Sequence, residues 1–394
     1  MDRYGPQAAI AQDFISEEDY MRLNTTTVGE RNAIDEAMPS RVARRRFLQT
    51  GGILALSGFI GVRSFAAWAG DDVVLPFANG QRPLVSDFPH KGPMILQRTR
   101  PPLLETPFEV FDNGVFTPNA QFFVRWHLPS IPTTVQVDGF TLKVFGNVDK
   151  PLSLSLEELL HGFEPIQVAA VNQCSGNSRG FFNPRVAGAQ WANGAMGNAL
   201  WTGVRLKDVL DRAGVKAGSV QVRFHGLDKG VIEQTPQLKK ALDVDHARDG
   251  EVMIAYAMNG EQLPLLNGFP LRLVVPGWYS TYWVKMLTDI EVLDRPDDNY
   301  WMAKAYLIPD TPFANVTPDE TGVKLIPINR MGPRSFLTNL RPGASIRAQQ
   351  RTLVRGIAFG GDTGVSKVLV SADEGVGWRE ARLGKDYGKY SFRQ

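Results

Sequence analysis

Four stretches of the chain carry residue types able to do chemistry. Asn172-Gln-Cys-Ser-Gly-Asn-Ser-Arg179 sets Cys174 in a Gly/Asn/Ser loop that follows an apolar run from Gln167 to Val171. A thiolate binds metal or attacks an electrophile, and the charges of Arg179 and Arg185 favour that form. Taken alone, the same cysteine also reads as an inert small residue at a strand end, as free cysteines commonly are. Phe122-Phe-Val-Arg-Trp-His127 places Arg125 and His127 two apart, hence on one side of a strand. A guanidinium forks two hydrogen bonds onto a tetrahedral oxyanion or phosphate, with an imidazole beside it to exchange a proton. The alternative is a surface strand turning its charges to water.

The third stretch runs from Asn267-Gly-Phe-Pro-Leu-Arg272 through Val274-Val-Pro-Gly-Trp-Tyr-Ser-Thr-Tyr-Trp-Val-Lys285. A buried-looking strand empties into Gly, aromatic and hydroxyl residues flanked by Arg272 and Lys285, a seat for a phosphate-bearing cofactor or simply a packed turn. It is not a Walker loop, and no G-x-G-x-x-G precedes a helix. Tyr306, in Tyr300-Trp-Met-Ala-Lys-Ala-Tyr, falls where the sequence changes character, either at an interdomain site or as a packing residue.

Elements to position these groups can be read around them. Val73 to Thr117 is Pro-rich and aperiodic, as in an extended arm over a core. Thr134 to Phe145 alternates around Asp138-Gly139 and reads as a hairpin. Ser155-Leu-Glu-Glu158 resembles a capping box, and Leu206, Val209 and Leu210 share a helix face that Gly214 would end. Val220–His225, Val252–Tyr256 and Leu271–Pro276 read as strands, so the region to 296 is expected to be α+β. Beyond Asp297 the runs 352–359, 366–371 and 378–383 alternate between Gly- and Asp-bearing turns, the spacing of a small β-sandwich.

Composition limits the functions these residues can serve. Across 394 residues, 43 Lys plus Arg against 41 Asp plus Glu leave a net charge of +2, which gives no broad basic field for nucleic acid. A single cysteine excludes an internal disulfide, a Cys-rich zinc site, an iron–sulfur cluster and c-type haem attachment. Arg44-Arg45-Arg46-Phe-Leu, an uncharged run to Val62 and Ala67-Trp-Ala69 have the order of a cleavable export signal of twin-arginine type. Residues 1–69 are therefore expected to be an address. The mature protein is then soluble in the periplasm, exported folded by the twin-arginine machinery and without a stable membrane anchor.

Together the four motifs and the leader resemble the sulfite oxidase family of molybdenum enzymes, most closely its bacterial periplasmic sulfite dehydrogenases. The resemblance implies a mixed-sheet molybdopterin-binding domain over 70–296 and an immunoglobulin-like dimerisation domain over 297–394. It implies a molybdenum–molybdopterin cofactor bound through Cys174, with Arg125, Arg179 and Tyr306 facing substrate. His127, Asp228, Arg272, Trp283, Val284 and Lys285 would hold the pterin and its phosphate. Asn267 stands where some relatives have His. It further implies oxidation of sulfite to sulfate, no haem on this chain, a separate periplasmic cytochrome c as electron acceptor, and a homodimer. Relatives continue past Phe392-Arg-Gln394, so the sandwich is expected to stop short and leave an unpaired edge and an open apolar face. Alternatives are a sulfoxide reductase or a sulfur-oxidising complex subunit with the same cofactor, and an exported β-sandwich binding protein in which the cysteine loop is only structural.

Overall fold

The computed structural model describes residues 72–317, 320–341 and 343–394, so the leader expected over 1–69 lies outside the described residues. In chain order the elements are β1 (Asp72–Val74), β2 (Gln81–Val85), β3 (Met94–Arg98), β4 (Leu103–Glu105), β5 (Val124–Arg125), β6 (Thr141–Gly146), β7 (Leu152–Ser155), α1 (Leu156–His161), β8 (Pro165–Gln173), β9 (Met196–Arg205), α2 (Leu206–Ala213), β10 (Gln221–Gly226), β11 (Lys239–Asp243), α3 (Val244–Ala247), β12 (Met253–Met258), β13 (Glu261–Gln262), β14 (Arg272–Val274), β15 (Leu287–Leu293) and α4 (Tyr300–Ala303). Three short pairs follow: β16 (Leu307–Pro309) with β17 (Leu325–Pro327), β18 (Arg334–Leu337) with β19 (Gly356–Phe359), and β20 (Leu369–Val370) with β21 (Arg379–Glu380).

The Pro-rich stretch is not an extended arm. β1 to β5 form an antiparallel five-stranded sheet in sequence order. Its strands hold two to five residues, too few for alternation to register, yet Met94, Leu104, Val124 and Trp126 pack into one buried cluster with Leu266 and Met286. This sheet presents Arg82, Arg98 and Arg125 to the site described below.

A second sheet has the order β11-β10-β15-β6-β7. The hairpin expected around Asp138-Gly139 is absent: β6 lies antiparallel to β7 and parallel to β15, and residues 134–137 form no strand. Burial of Leu142 and Val144 against β15 outweighs the local turn signal, because β15 supplies the larger apolar face. The capping box does form: Glu158 N donates to Ser155 Oγ at 3.1 Å and Ser155 N to the Glu158 carboxylate at 2.8 Å, opening α1. Gly214, at φ 71°, closes α2.

The third sheet, β13-β12-β9-β8 with β14 also on β12, carries the cysteine. β8 and β9 pair antiparallel from Pro165 opposite Val204 to Gln173 opposite Met196, and β9 is buried almost throughout. Cys174 follows the last pair and is held by its own N–H donating to the Ala195 carbonyl at 2.9 Å.

Beyond Tyr306 the alternating runs keep strand only at β19, β20 and β21. The final residues nevertheless reach the core. Val171 N donates to the Tyr390 carbonyl at 2.9 Å, Asn198 Nδ2 donates to Ser391 Oγ at 2.9 Å, and Phe392 is fully buried among Phe111, Val171, Met196, Ile357 and Phe359. Side chains farther out are open: Leu353, Val376 and Trp378 are 70%, 88% and 59% exposed. Among the described residues no helix is long and apolar enough to cross a membrane.

Candidate active site

A cavity of about 440 Å³ opens where the first and third sheets meet, and Cys174, Arg125, Arg179 and Tyr306 all line it. The Cys174 side chain is buried, with its sulfur accepting from Gly176 N at 3.4 Å. Arg179 begins a short 3-10 turn, and Ser178 before it takes a left-handed φ of 73°. Its guanidinium lies in a slot between two glycines: a Cβ built on Gly176 or on Gly188 would stand 2.6 Å from Arg179 Nη1. A side chain at either glycine would push the guanidinium out of this position.

Arg125 and His127 do converge, on the Tyr306 hydroxyl. Arg125 Nη2 donates to Tyr306 Oη at 2.6 Å, and His127 Nε2 lies 2.8 Å from the same oxygen. Burial, then Arg125, Lys285 and Lys240, push the His127 pKa well below its ordinary 6.5, so the ring is neutral. Because Arg125 can only donate, the phenol proton is free for Nε2, which leaves the imidazole hydrogen on Nδ1. Burial raises the Tyr306 pKa above its ordinary 10, and Cys174 adds to the rise while Arg125 opposes it. Tyr306 itself sits at φ 58°, strained for a non-glycine and pinned by Ile328 N donating to its carbonyl at 2.7 Å.

The remaining candidates stand behind Arg125. Lys285 Nζ donates to the Arg125 carbonyl at 2.9 Å and lies 4.4 Å from the Trp126 ring centroid. Arg272 is buried against Trp201 and Trp283 and gives one hydrogen bond to the Asn267 carbonyl at 2.9 Å. Burial lowers Arg272 to about 9 and Lys285 to about 7, while burial raises Asp228. Asn267, Trp283 and Val284 are occupied inside the protein. The Asn267 amide is held by Lys91 Nζ and the Phe123 carbonyl, Trp283 Nε1 donates to the Trp278 carbonyl at 3.0 Å, and the Val284 N–H and C=O bond Tyr282 and Leu273.

Three further cavity arginines come from outside the motifs: Arg82, Arg98 and Arg185. Burial and the nearby charge of Arg125 lower the pKa of Arg98. Among the described residues no carboxylate lines the cavity, which five guanidiniums share. Arg82 and Arg98 went unrecognised because the stretch that bears them looked like an arm. Lys240, fully buried with Nζ donating to the Trp301 carbonyl at 2.8 Å and 5.8 Å from the Tyr306 ring, hides in a polar-looking Leu-Lys-Lys.

Residues 127–301 match the family model described as an oxidoreductase molybdopterin binding domain. Sulfite oxidase of Gallus gallus is 34% identical over 315 residues, covering 77% of this chain and 67% of that protein. The chain belongs to the sulfite oxidase family. Mitochondrial sulfite oxidase of Mus musculus is 33% identical over 327 residues, 79% of this chain, and the chain spans only 57% of its length. Among solved structures, the sulfane dehydrogenase SoxCD from Paracoccus pantotrophus superposes with a TM-score of 0.63 at 26% identity, covering 74% of this chain and 70% of that one.

Membership makes the chain a molybdopterin oxidoreductase, and a molybdopterin-binding domain implies the molybdenum–molybdopterin cofactor. The polar atoms of the site fit that group. Arg125 Nη1, His127 Nδ1, Arg272 Nε and Asp228 Oδ2 are buried without a protein partner. Three donors and one acceptor left open suit a ligand that is anionic in one part and bears N–H groups in another, and leaving them open otherwise costs about 1–3 kcal/mol each.

Proposed function

We propose that this protein oxidises sulfite to sulfate by oxygen-atom transfer and passes the electrons to a separate cytochrome c. The observation that carries this reading is a cavity wall without carboxylates on which five arginines meet one buried cysteine and one half-buried tyrosine. When bound through Cys174, the molybdenum cofactor supplies the oxygen-atom transfer and takes up two electrons. Arg272 and Lys285 would hold its phosphate, and His127, with Nδ1 open to donate, and Asp228, with Oδ2 open to accept, would hold the pterin. Asn267, Trp283 and Val284 frame that seat from behind, since their polar groups are already bonded within the protein.

Arg125 and Arg179 then do for the substrate what water would do in solution. Sulfite carries one to two negative charges, and two fixed guanidiniums hold it beside the cysteine without having to reorganise. Tyr306, kept protonated by burial, accepts from Arg125 and points its proton at His127 Nε2, a route along which a proton released by the overall oxidation can leave the site. Arg82, Arg98 and Arg185 extend the positive field outward and favour anion entry.

We place the protein in the periplasm, exported by the twin-arginine machinery, on the strength of the leader between Arg44 and Ala69. Exposed Leu353, Val376 and Trp378 favour a homodimer through the C-terminal region. The likeness to SoxCD favours a second reading, in which sulfane sulfur is oxidised at the same centre. Steady-state assays of molybdenum-replete protein with sulfite or thiosulfate as reductant, and ferricyanide or cytochrome c as acceptor, separate the two. Sulfite turnover that Arg179→Gln lowers by about a hundredfold with molybdenum content unchanged supports the first reading. Turnover with thiosulfate alone supports the second.

A further inference from the structure

Arg334 lies about 160 positions from the cysteine motif, on β18, and yet its guanidinium closes over the loop that carries Cys174. Arg334 Nη1 donates to Gln173 Oε1 at 3.2 Å and Nη2 to Ser178 Oγ at 2.6 Å, so one fork spans the residues flanking the loop. Each acceptor is itself tied down. Gln173 Oε1 also accepts from Asn177 Nδ2 at 3.3 Å, Asn177 Oδ1 accepts from Ala195 N at 3.0 Å, and Ser178 Oγ donates to Asn193 Oδ1 at 2.6 Å. No member of this network is a carboxylate: the cation places its charge on neutral acceptors and on the Phe336 ring, 4.7 Å from the guanidinium carbon. Tyr279 is the other titratable group beside it.

We propose that Arg334 is a positioning residue that fixes the Cys174 loop before any cofactor arrives. A half-buried guanidinium bonded only to neutral groups gives up hydration without gaining an ion pair, and it serves best where its geometry sets something else. Here it joins both ends of a six-residue arc, Gln173 to Ser178, whose other ties outward run to one neighbouring segment, residues 192–195, through Cys174 N on Ala195, Ala195 N on Asn177, Ser178 N on Ala192 and Ser178 Oγ on Asn193. A preset loop lowers the ordering cost of ligation. The significance of the clamp for ligation rests on Cys174 being the molybdenum ligand, whereas the clamp itself does not.

The single cysteine makes the test direct, because thiol labelling of the full chain reports one residue. Metal-free protein, produced without molybdenum, is labelled with iodoacetamide across pH. The rate is compared on its alkaline plateau, where any change in thiol pKa drops out. Arg334→Gln is expected to raise the plateau rate at least tenfold, and Arg334→Lys, which cannot bridge both acceptors, by an intermediate factor. Ile357→Ala, on the neighbouring strand, serves as a control for general loss of stability and is expected to change the rate less than twofold at a similar or greater loss of Tm. Wild-type labelling in Arg334→Gln overturns the proposal, as does an equal rise in Ile357→Ala. If instead Cys174→Ala keeps its molybdenum, the ligand assignment fails while the labelling result still stands.

Discussion

Arg125 Nη2 and the Tyr306 hydroxyl are 2.6 Å apart, joining a strand of the first sheet to the residue that precedes β16, 181 positions later. Removing the hydroxyl leaves Arg125 Nη2 and His127 Nε2 without it. Tyr306→Phe is expected to lower kcat for sulfite by about a hundredfold, with stability lower by about 1–2 kcal/mol. Because burial raises the phenol above its ordinary 10, wild-type kcat should show no loss from its ionisation below that pH. A pH profile of kcat for both proteins checks both statements.

The outer arginines act at a distance, so salt should reveal them. Arg98→Gln is expected to reduce kcat/KM for sulfite about fivefold at low ionic strength, with kcat unchanged within a factor of about two. The difference should shrink as the Debye length falls below about 6 Å, near 0.3 M salt. Steady-state kinetics over a salt series measures it.

Glu105 is a buried carboxylate behind the cavity wall. Its Oε1 accepts from Gly194 N at 2.9 Å, and its Oε2 from Gln97 Nε2 at 2.7 Å and Ala192 N at 3.2 Å, which anchors the segment beside Trp191. Burial lifts its pKa from 4.5 to about 7, and those donors limit the rise. The folded protein thus binds a proton that the unfolded chain has lost between pH 4.5 and 7. The stability it contributes is complete below pH 4.5 and is lost as pH rises through 7, about 3 kcal/mol in all. Glu105→Gln should be less stable at pH 5, with one N–H donor facing another, and the wild-type advantage should narrow toward pH 8. Denaturant unfolding of both proteins across that range reads the narrowing.

Local signals were legible where local physics decides the structure. The capping box at Ser155 and Glu158, the helix closed by Gly214 and the loop bearing Cys174 all follow from residues within a few positions of one another. What the sequence hid is non-local. β6 takes β15 as its parallel partner across about 145 residues, overriding the turn at Asp138-Gly139, and short strands carrying Arg82 and Arg98 show no alternation. Arg334 could not be linked to Cys174 from sequence, because only the docking of β18 brings them together. The hydrogen-bond commitments of Asn267, Trp283 and Val284 within the protein are visible only in three dimensions.

The central claim is that sulfite loses its electrons at the centre built on Cys174. Molybdenum-replete, oxidised protein mixed anaerobically with excess sulfite, with no electron acceptor present, should yield about one sulfate per molybdenum-loaded chain, since one two-electron centre turns over once. Cys174→Ala should yield none. No sulfate from fully loaded wild-type protein, or an undiminished yield from Cys174→Ala, would contradict the account.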